Sequence, residues 1–397
     1  MSNTQKKNVP ELRFPGFEGE YSLDIFGNLA TNKSDKFNPQ NENASIDIEL
    51  DCIEQNTGRL IKIYNSKEFS SQKNKFNPQN VLYGKLRPYL NKYYFTKKSG
   101  VCSSEIWVLK STKEDKLLNL FLYYFIQTKR YSDVASKSAG SKMPRADWGL
   151  IENIRVYFPE LCEQQKIGEF FSKLDRQIEL EEQKLELLQQ QKKCYMQKIF
   201  SQELRFKDDN GNDYPEWEEK KLGELSQIVR GASPRPIKDP KWFNKESDIG
   251  WLRISDVTDQ NGKIYHLEQK LSIEGQEKTR VLLTTHLLLS IAASIGKPVM
   301  NFVKTGVHDG FLIFLNPKFN IFFMYYWLDY FKEKWSKYGQ PGSQVNLNSE
   351  IVKSQTLNMP SNHEQEKVGL FFSRNEKLIE LQQEKIMYLK RRKQALI

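Results

Sequence analysis

Between Ile167 and Ile199 apolar positions recur at alternating steps of four and three residues: Ile167, Phe171, Leu174, Ile178, Leu185, Leu188, Tyr195 and Ile199. Polar Glu181 and Lys192 occupy the two remaining places in that series. The same stepping from Val368 runs through Phe372, Asn375, Ile379, Gln382, Ile386, Leu389, Lys393 and Leu396. A four–three spacing keeps these side chains on one narrow stripe of a helix, the seam of a coiled coil. The polar interruptions correspond, Glu181 with Gln382 and Lys192 with Lys393, and no proline breaks either run. The pattern predicts two helices of about 33 residues, each about 50 Å long at 1.5 Å rise per residue. Their outer faces are highly charged, which suits each helix to the other better than to the broad core of a globular domain. An antiparallel pair is expected, because it relates two tandem modules by an approximate two-fold axis. Two amphipathic helices lying on separate cores is the alternative.

The helices are copies. Glu163-Gln164-Gln165-Lys166-Ile167-Gly168, followed by Phe170-Phe171-Ser172, returns 201 residues later as Glu364-Gln365-Glu366-Lys367-Val368-Gly369 and Phe371-Phe372-Ser373. Further on, Ile178-Glu179-Leu180 returns as Ile379-Glu380-Leu381. Internal repetition on this scale is the signature of a duplicated structural unit. The segments before each helix repeat more loosely: Glu11-Leu12-Arg13-Phe14 returns as Glu203-Leu204-Arg205-Phe206. Strand-like runs follow at Val101–Leu109 and Phe311–Leu315, then apolar helices at Leu117–Tyr131 and Ile321–Trp335. Next come Gly-Ser loops (Gly140-Ser141, Gly342-Ser343) and a proline (Pro159, Pro360) that delivers the chain to the long helix. The elements correspond in order while most side chains differ. The expected fold is α+β (mixed α/β), with two tandem modules at 1–160 and 202–360 and two helices at 161–201 and 361–397.

Composition narrows the functions. At 397 residues the chain suits two domains, and 38% hydrophobic with 12% aromatic residues can build real cores. The net charge of +10 points to a polyanionic partner or, in the blander reading, a solvated basic surface. Cys52, Cys102, Cys162 and Cys194 are scattered and the four histidines dispersed, so no metal-ligand spacing occurs and a reducing cytoplasm is expected. Residues 1–10 lack an apolar signal core, and the most apolar stretches are too short or interrupted to span a bilayer. No P-loop and no GxGxxG follows a strand, and no Asn- or Asp-Pro-Pro-aromatic tetrapeptide is present. Glu182-Gln183-Lys184 superficially resembles a nuclease element but reads as solvated helix surface, and Gly306 and Gly310 around His308-Asp309 indicate a turn. Neither catalytic nor metal-binding residues are expected.

What remains is basic, aromatic and Gly/Ser-rich loop chemistry. In the first module these residues are Lys85, Arg87, Tyr89, Lys92, Ser141, Lys142 and Arg145. In the second they are Arg230, Ser233, Arg235, Lys238, Ser294, Lys297, Gln340, Ser343, Gln344 and Asn346. Lysine and arginine neutralise phosphates, while Arg, Gln and Asn can make paired contacts with base edges. One such loop is an ordinary surface loop; recurrence at equivalent places in both modules suggests DNA.

A proline, a short spacer, then Glu-Gln opening a long helix occurs at Pro159–Ile167 and again at Pro360–Val368. In this the chain resembles the specificity subunit of type I restriction–modification enzymes. Tyr83–Pro88 and Leu289–Lys297 are also similar to recurrent segments of that family's target-recognition domains. The resemblance spans essentially the whole chain. It implies that each recognition domain reads one half of an asymmetric two-part target in double-stranded DNA, and that the helix pair sets the unread spacer. It also implies two modification (methyltransferase) subunits docked on the helices, together with restriction (endonuclease and translocase) subunits. S-adenosylmethionine, ATP and Mg would belong to those partners, with no cofactor in this chain. A stand-alone DNA-binding regulator or architectural protein is the competing reading; a fused methyltransferase or nuclease is a third. The regulator leaves diverged modules beside such similar helices unexplained, and an enzyme lacks its motifs.

Overall fold

The runs 106–109, 287–289 and 311–315 are apolar at every position, so both faces of each central sheet must be covered. In the computed structural model, which describes residues 10, 12–38, 46–65, 71–137, 142–291, 295–338 and 347–397, both faces are. The chain divides into two units, residues 1–182 with 384–397, and residues 183–383. The repeated helices are therefore divided between units rather than standing apart as separate segments.

The first unit begins with β1 (Ser22–Ile25), α1 (Phe26–Leu29), β2 (Ala30–Thr31), β3 (Lys36–Phe37), β4 (Asp47–Ile48), β5 (Lys73–Phe76) and β6 (Val81–Gly84). It continues through β7 (Tyr93–Phe95), β8 (Gly100–Cys102), β9 (Ile106–Ser111), α2 (Asn119–Phe125), α3 (Lys129–Ala135), α4 (Trp148–Ile151) and β10 (Arg155–Phe158), and then enters α5 (Leu161–Phe200). Its central sheet has the order β2-β9-β6-β7, and a second has the order β3-β5-β8-β4. Alternate side chains of the central strands face opposite cores. Val81, Tyr83, Trp107 and Leu109 join α2 and the start of α5, whereas Leu82, Ile106 and Val108 join Ile48, Phe76 and Cys102 of the second sheet.

The second unit contains β11 (Glu218–Lys221), α6 (Leu222–Leu225), β12 (Gln227–Arg230), β13 (Gly250–Leu252), α7 (Ile254–Asp259), β14 (Lys263–Ile264), α8 (Ile273–Glu277) and β15 (Arg280–Leu282). After these come β16 (Leu287–Ser290), β17 (Pro298–Asn301), β18 (Thr305–Val307), β19 (Phe311–Leu315), α9 (Ile321–Phe331), α10 (Ser349–Ser354), β20 (Thr356–Met359) and α11 (Asn362–Leu396). Sheet order β12-β19-β16-β17-β14 reproduces that of the first unit with one strand added. In the smaller sheet β18 pairs parallel with β13 and antiparallel with β15, as β8 does with β4 and β5. The same alternation recurs: Leu287, Leu289, Leu312 and Phe314 face α9, and Leu288, Phe311 and Ile313 face the smaller sheet.

Three boundaries differ from the periodicity. The run 101–109 is two strands, because residues 103–105 form a turn in which Ile106 N–H donates to Ser103 O at 3.0 Å. The apolar stretch 117–131 is two helices; extended Thr128 stops the first and caps the second, its side chain accepting from Tyr131 N. The long helices are 40 and 35 residues, about 60 and 52 Å at 1.5 Å per residue. They exceed the stepping-based length because each starts two residues after its proline, before the stripe begins.

Helix α5 meets α11 within each unit. In the first, Phe171, Leu174 and Ile178 share a core with Leu389, and Lys393 pairs with Asp175 at 2.6 Å and Lys390 with Glu182 at 2.7 Å. In the second, Met196 and Ile199 share a core with Val368 and Phe372, and Lys192 pairs with Glu376 at 3.3 Å. Early α5 thus meets late α11, and late α5 meets early α11, so the pair is antiparallel. Burial along both helices follows the four–three stepping: Ile386 is buried, and Ile167, Leu185, Leu188 and Ile379 are half-buried.

Candidate nucleic-acid interface

The Glu-Gln pair that opens each long helix holds the scaffold on which the loops stand. Gln164 is fully buried. Its amide accepts from Leu118 N–H at 2.9 Å and donates to Lys116 O at 2.7 Å and Pro159 O at 2.8 Å. In the other unit Gln365 accepts from Asn320 N–H and donates to Pro360 O, each at 2.8 Å. Glu163 receives Arg13 at both carboxylate oxygens (2.9 and 2.7 Å), as Glu364 receives Arg205 (3.3 and 3.0 Å). Two-point guanidinium contacts on a buried carboxylate are directional as well as charged. They explain why Glu-Leu-Arg-Phe repeats along with the helix. Gly168 and Gly369 admit the flanking helix: a Cβ would stand 2.7 Å from Leu120 or 3.1 Å from Phe322.

The seam lysines are accounted for in the same way. Lys393 reaches Asp175 and Gln127 (3.0 Å), while Tyr124 OH donates to Asp175 at 3.0 Å. In the second unit Lys192 and Lys263 both pair with Glu376, which also accepts from Tyr326 OH at 2.7 Å. A lysine inside a largely apolar seam favours the one register in which its partner carboxylate faces it.

On this frame the first unit joins two of its basic loops. Arg87 N–H donates to Pro144 O at 2.7 Å and Ala146 N–H to Lys85 O at 2.8 Å, with Leu86 and Arg145 bridged. The result sets Arg87, Tyr89, Lys142 and Arg145 together at the surface, with Lys85 half-buried beneath them. Arg87 has φ 52°, a left-handed conformation that turns the chain at this point. Arg145 binds Glu105 through Nε (2.9 Å) and Nη2 (3.1 Å), and that contact raises its pKa above the ordinary guanidinium value. Lys92 points elsewhere, donating to Leu50 O at 2.5 Å.

In the second unit Arg230, Ser233 and Arg235 converge on Asp309. Arg230 Nε donates to Asp309 O at 2.6 Å, Ser233 Oγ to Oδ1 at 2.8 Å and Arg235 Nη2 to Oδ2 at 2.6 Å. Burial would push the Asp309 carboxyl up, but Ser233, Arg235, His308 and Arg230 hold it below the usual value, so it is ionised. Lys238 is exposed nearby in sequence, and Arg280 Nε donates to Arg230 O at 2.7 Å. Lys297 is half-buried against Val257 O at 3.2 Å, and burial lowers its pKa. Ser141, Ser294, Gln340, Ser343, Gln344 and Asn346 lie outside the described residues.

Sequence reasoning missed Glu105, Asp309 as a carboxylate partner, and Arg280. Single charged residues distant in sequence from the loops they touch carry no pattern. Among the described residues, no group of three or more His, Cys, Asp and Glu side chains could hold a metal ion, and no helix is long and apolar enough to cross a membrane.

Fold and loops together define a duplicated DNA-recognition protein: one scaffold used twice, each copy presenting its own basic surface. The comparisons specify which. The family model described as type I restriction modification DNA specificity domain matches residues 20–190 and again 214–391. The chain belongs to that family. It is 25% identical over 323 residues to the type I restriction enzyme MjaVIII specificity subunit of Methanocaldococcus jannaschii, covering 76% of this chain and 74% of that protein. Its fold matches a chain solved in work on complex assembly and conformational transition of the type I R-M system, with TM-score 0.61, 17% identity and 97% of both chains covered. It also matches the type I restriction–modification S subunit from M. genitalium, with TM-score 0.57, 13% identity and 99% and 98% coverage.

Proposed function

We propose that this chain is the recognition subunit of a cytoplasmic type I restriction–modification assembly, its first unit reading one half of an asymmetric bipartite duplex target and its second unit the other. The observation that carries this reading is the contrast between scaffold and loops. The Glu-Gln clamps and the cross-helix ion pairs recur 201 residues apart and the sheet order is repeated, while the exposed side chains that would meet DNA are not. Diverged readers on a common frame suit two different half-sites and not a palindrome.

Within each half-site the lysines and arginines would neutralise phosphates, which fixes register without reading sequence. Guanidinium groups reaching the major groove would make the base-specific contacts. The antiparallel helices would set the length of the unread spacer and dock two modification subunits. In support of docking, exposed apolar residues fall at equivalent positions on the outer faces of both helices: Leu180 with Leu381, and Leu187 with Tyr388. Two equivalent stripes suit two copies of one partner. Methyl transfer from S-adenosylmethionine, ATP-driven translocation and cleavage with Mg would then reside in the modification and restriction subunits, and this chain would carry no catalytic residue.

The test is co-purification with a candidate modification subunit and genome-wide mapping of methylated adenines with and without this chain. The expected result is a two-part asymmetric motif with a fixed gap that vanishes when the chain is omitted. Tight sequence-specific binding by the chain alone, without methylation, would instead favour the stand-alone regulator.

A further inference from the structure

We propose that Glu105 and Asp309 are specificity-determining positioning residues, each holding an exposed arginine in orientation for base reading and cancelling its charge toward phosphate. The inference rests on the DNA-reading assignment above and goes beyond it, because neither acid belongs to a basic loop.

The two acids occupy adjacent positions of one equivalent turn, Asp309 matching residue 104 and Gly310 matching Glu105. Each lies in the two-residue turn that enters the central strand, at 103–106 before β9 and at 308–311 before β19. Ile106 N–H donates to Ser103 O at 3.0 Å and Phe311 N–H to His308 O at 3.2 Å. Lys85 N–H donates to Glu105 O at 3.0 Å where Ile291 N–H donates to Gly310 O at 2.9 Å, so the surrounding backbone corresponds as well. The arginines do not correspond. Arg145 arrives from the loop before α4, whereas Arg235 arrives from the loop after β12. Two unrelated loops therefore bring an exposed arginine to a carboxylate on the same turn.

The chemistry of that contact is selective. Glu105 takes the Nε–Nη2 side of Arg145. On Arg235, Nη2 is engaged by Asp309 Oδ2, and among the described residues no hydrogen bond occupies its Nη1. Nη1 together with the second N–H of Nη2 has the spacing for guanine O6 and N7. A carboxylate beside a guanidinium also removes most of its attraction for a phosphate, while neutral base acceptors are still bound. An arginine so held loses indiscriminate affinity and keeps discrimination, which a reader searching a large excess of wrong sequence requires.

The experiment uses the full chain with its modification subunits and compares wild type with Glu105→Gln and Asp309→Asn. Binding is measured between 50 and 200 mM salt to the mapped target duplex and to a scrambled duplex, alongside the methylation map. Each variant is expected to steepen the log–log salt slope on scrambled DNA by about 0.9, the value for one additional phosphate contact. Discrimination should fall about tenfold at one half of the target, with the other half unchanged. Glu105→Gln and Asp309→Asn should relax opposite halves. Unaltered slopes and maps, or equal weakening of both halves with an unaltered slope, would overturn the proposal in favour of ion pairs that merely brace the turns. If one variant fails to fold, the other decides alone, because each reports on its own half-site. A wild-type assembly with no bipartite preference would remove the DNA-reading assignment itself, whereas a bipartite wild type with unchanged variants removes only this inference.

Discussion

Replacing Gln164 by alanine tests the clamp that seats the long helix. The side chain is fully buried and makes three hydrogen bonds of 2.7–2.9 Å to backbone groups just before α2 and just after β10. Alanine leaves Leu118 N–H and two carbonyls without those partners. A buried unpaired donor costs about 1–3 kcal/mol, and a net hydrogen bond is worth about 0.5–1.5 kcal/mol. Carbonyls retain a second lone pair and lose less, so the first unit should be destabilised by about 2–4 kcal/mol. At the urea sensitivity of a unit this size that lowers its unfolding midpoint by about 1 M. Gln164→Glu separates hydrogen bonding from shape. Its carboxylate can accept from Leu118 but cannot donate to Lys116 or Pro159. Burial raises its pKa above the unfolded value of about 4.3, so the charge part of the penalty is absent in acid and grows as pH rises through that value. The assay is urea unfolding of each variant at pH 4 and pH 7. A Gln164→Ala midpoint indistinguishable from wild type would refute the view that these bonds seat the helix.

Three further outcomes follow from the geometry. Lys393→Met leaves Asp175 with Tyr124 as its remaining partner, whereas Lys192→Met leaves Glu376 with Lys263 and Tyr326. Thermal melts should therefore show the Lys393 variant weaker by about 1–2 kcal/mol and the Lys192 variant by less; equal losses would contradict the assignment of Lys263. Burial lowers the pKa of His308 below 6.5, so its neutral form is favoured in the folded state. The unfolded chain takes up the proton first, and stability of the second unit should decline as pH falls from about 6.5. Gln in place of His308 should flatten denaturation midpoints between pH 6.5 and 5, and an unchanged slope would exclude this histidine. Finally, a Cβ on Gly231 would lie 2.1 Å from His308 O, so Gly231→Ala should displace the Arg230–Arg235 loop. Methylation mapping should show loss of preference at one half-site only.

The helix pair was legible because a four–three stripe repeated 201 residues apart has few other interpretations. The sheets were legible as apolar runs, but their breaks were not: the turn at 103–105 and the cap at Thr128 are local backbone events inside otherwise continuous hydrophobic sequence. The Glu-Gln motif was visible as a repetition, yet its purpose depended on partners such as Arg13, 150 residues before Glu163. The basic loops were found by composition, which does not report direction. Lys92 and Lys297 look like Arg87 and Lys142 on paper, but their ammonium groups reach backbone carbonyls of neighbouring segments. Glu105 and Asp309 carried no signal, since a lone acid becomes meaningful only beside the arginine that folding brings to it.

The central claim is that each unit reads its own half of the target. It is tested most directly by exchanging residues 12–158 for the corresponding segment of a relative with a different target, and mapping methylated adenines in cells that supply the modification subunits. One half of the motif should change to the donor's while the other half and the gap stay as they were. A change in both halves, or a gap that moves with the exchange, would contradict the account.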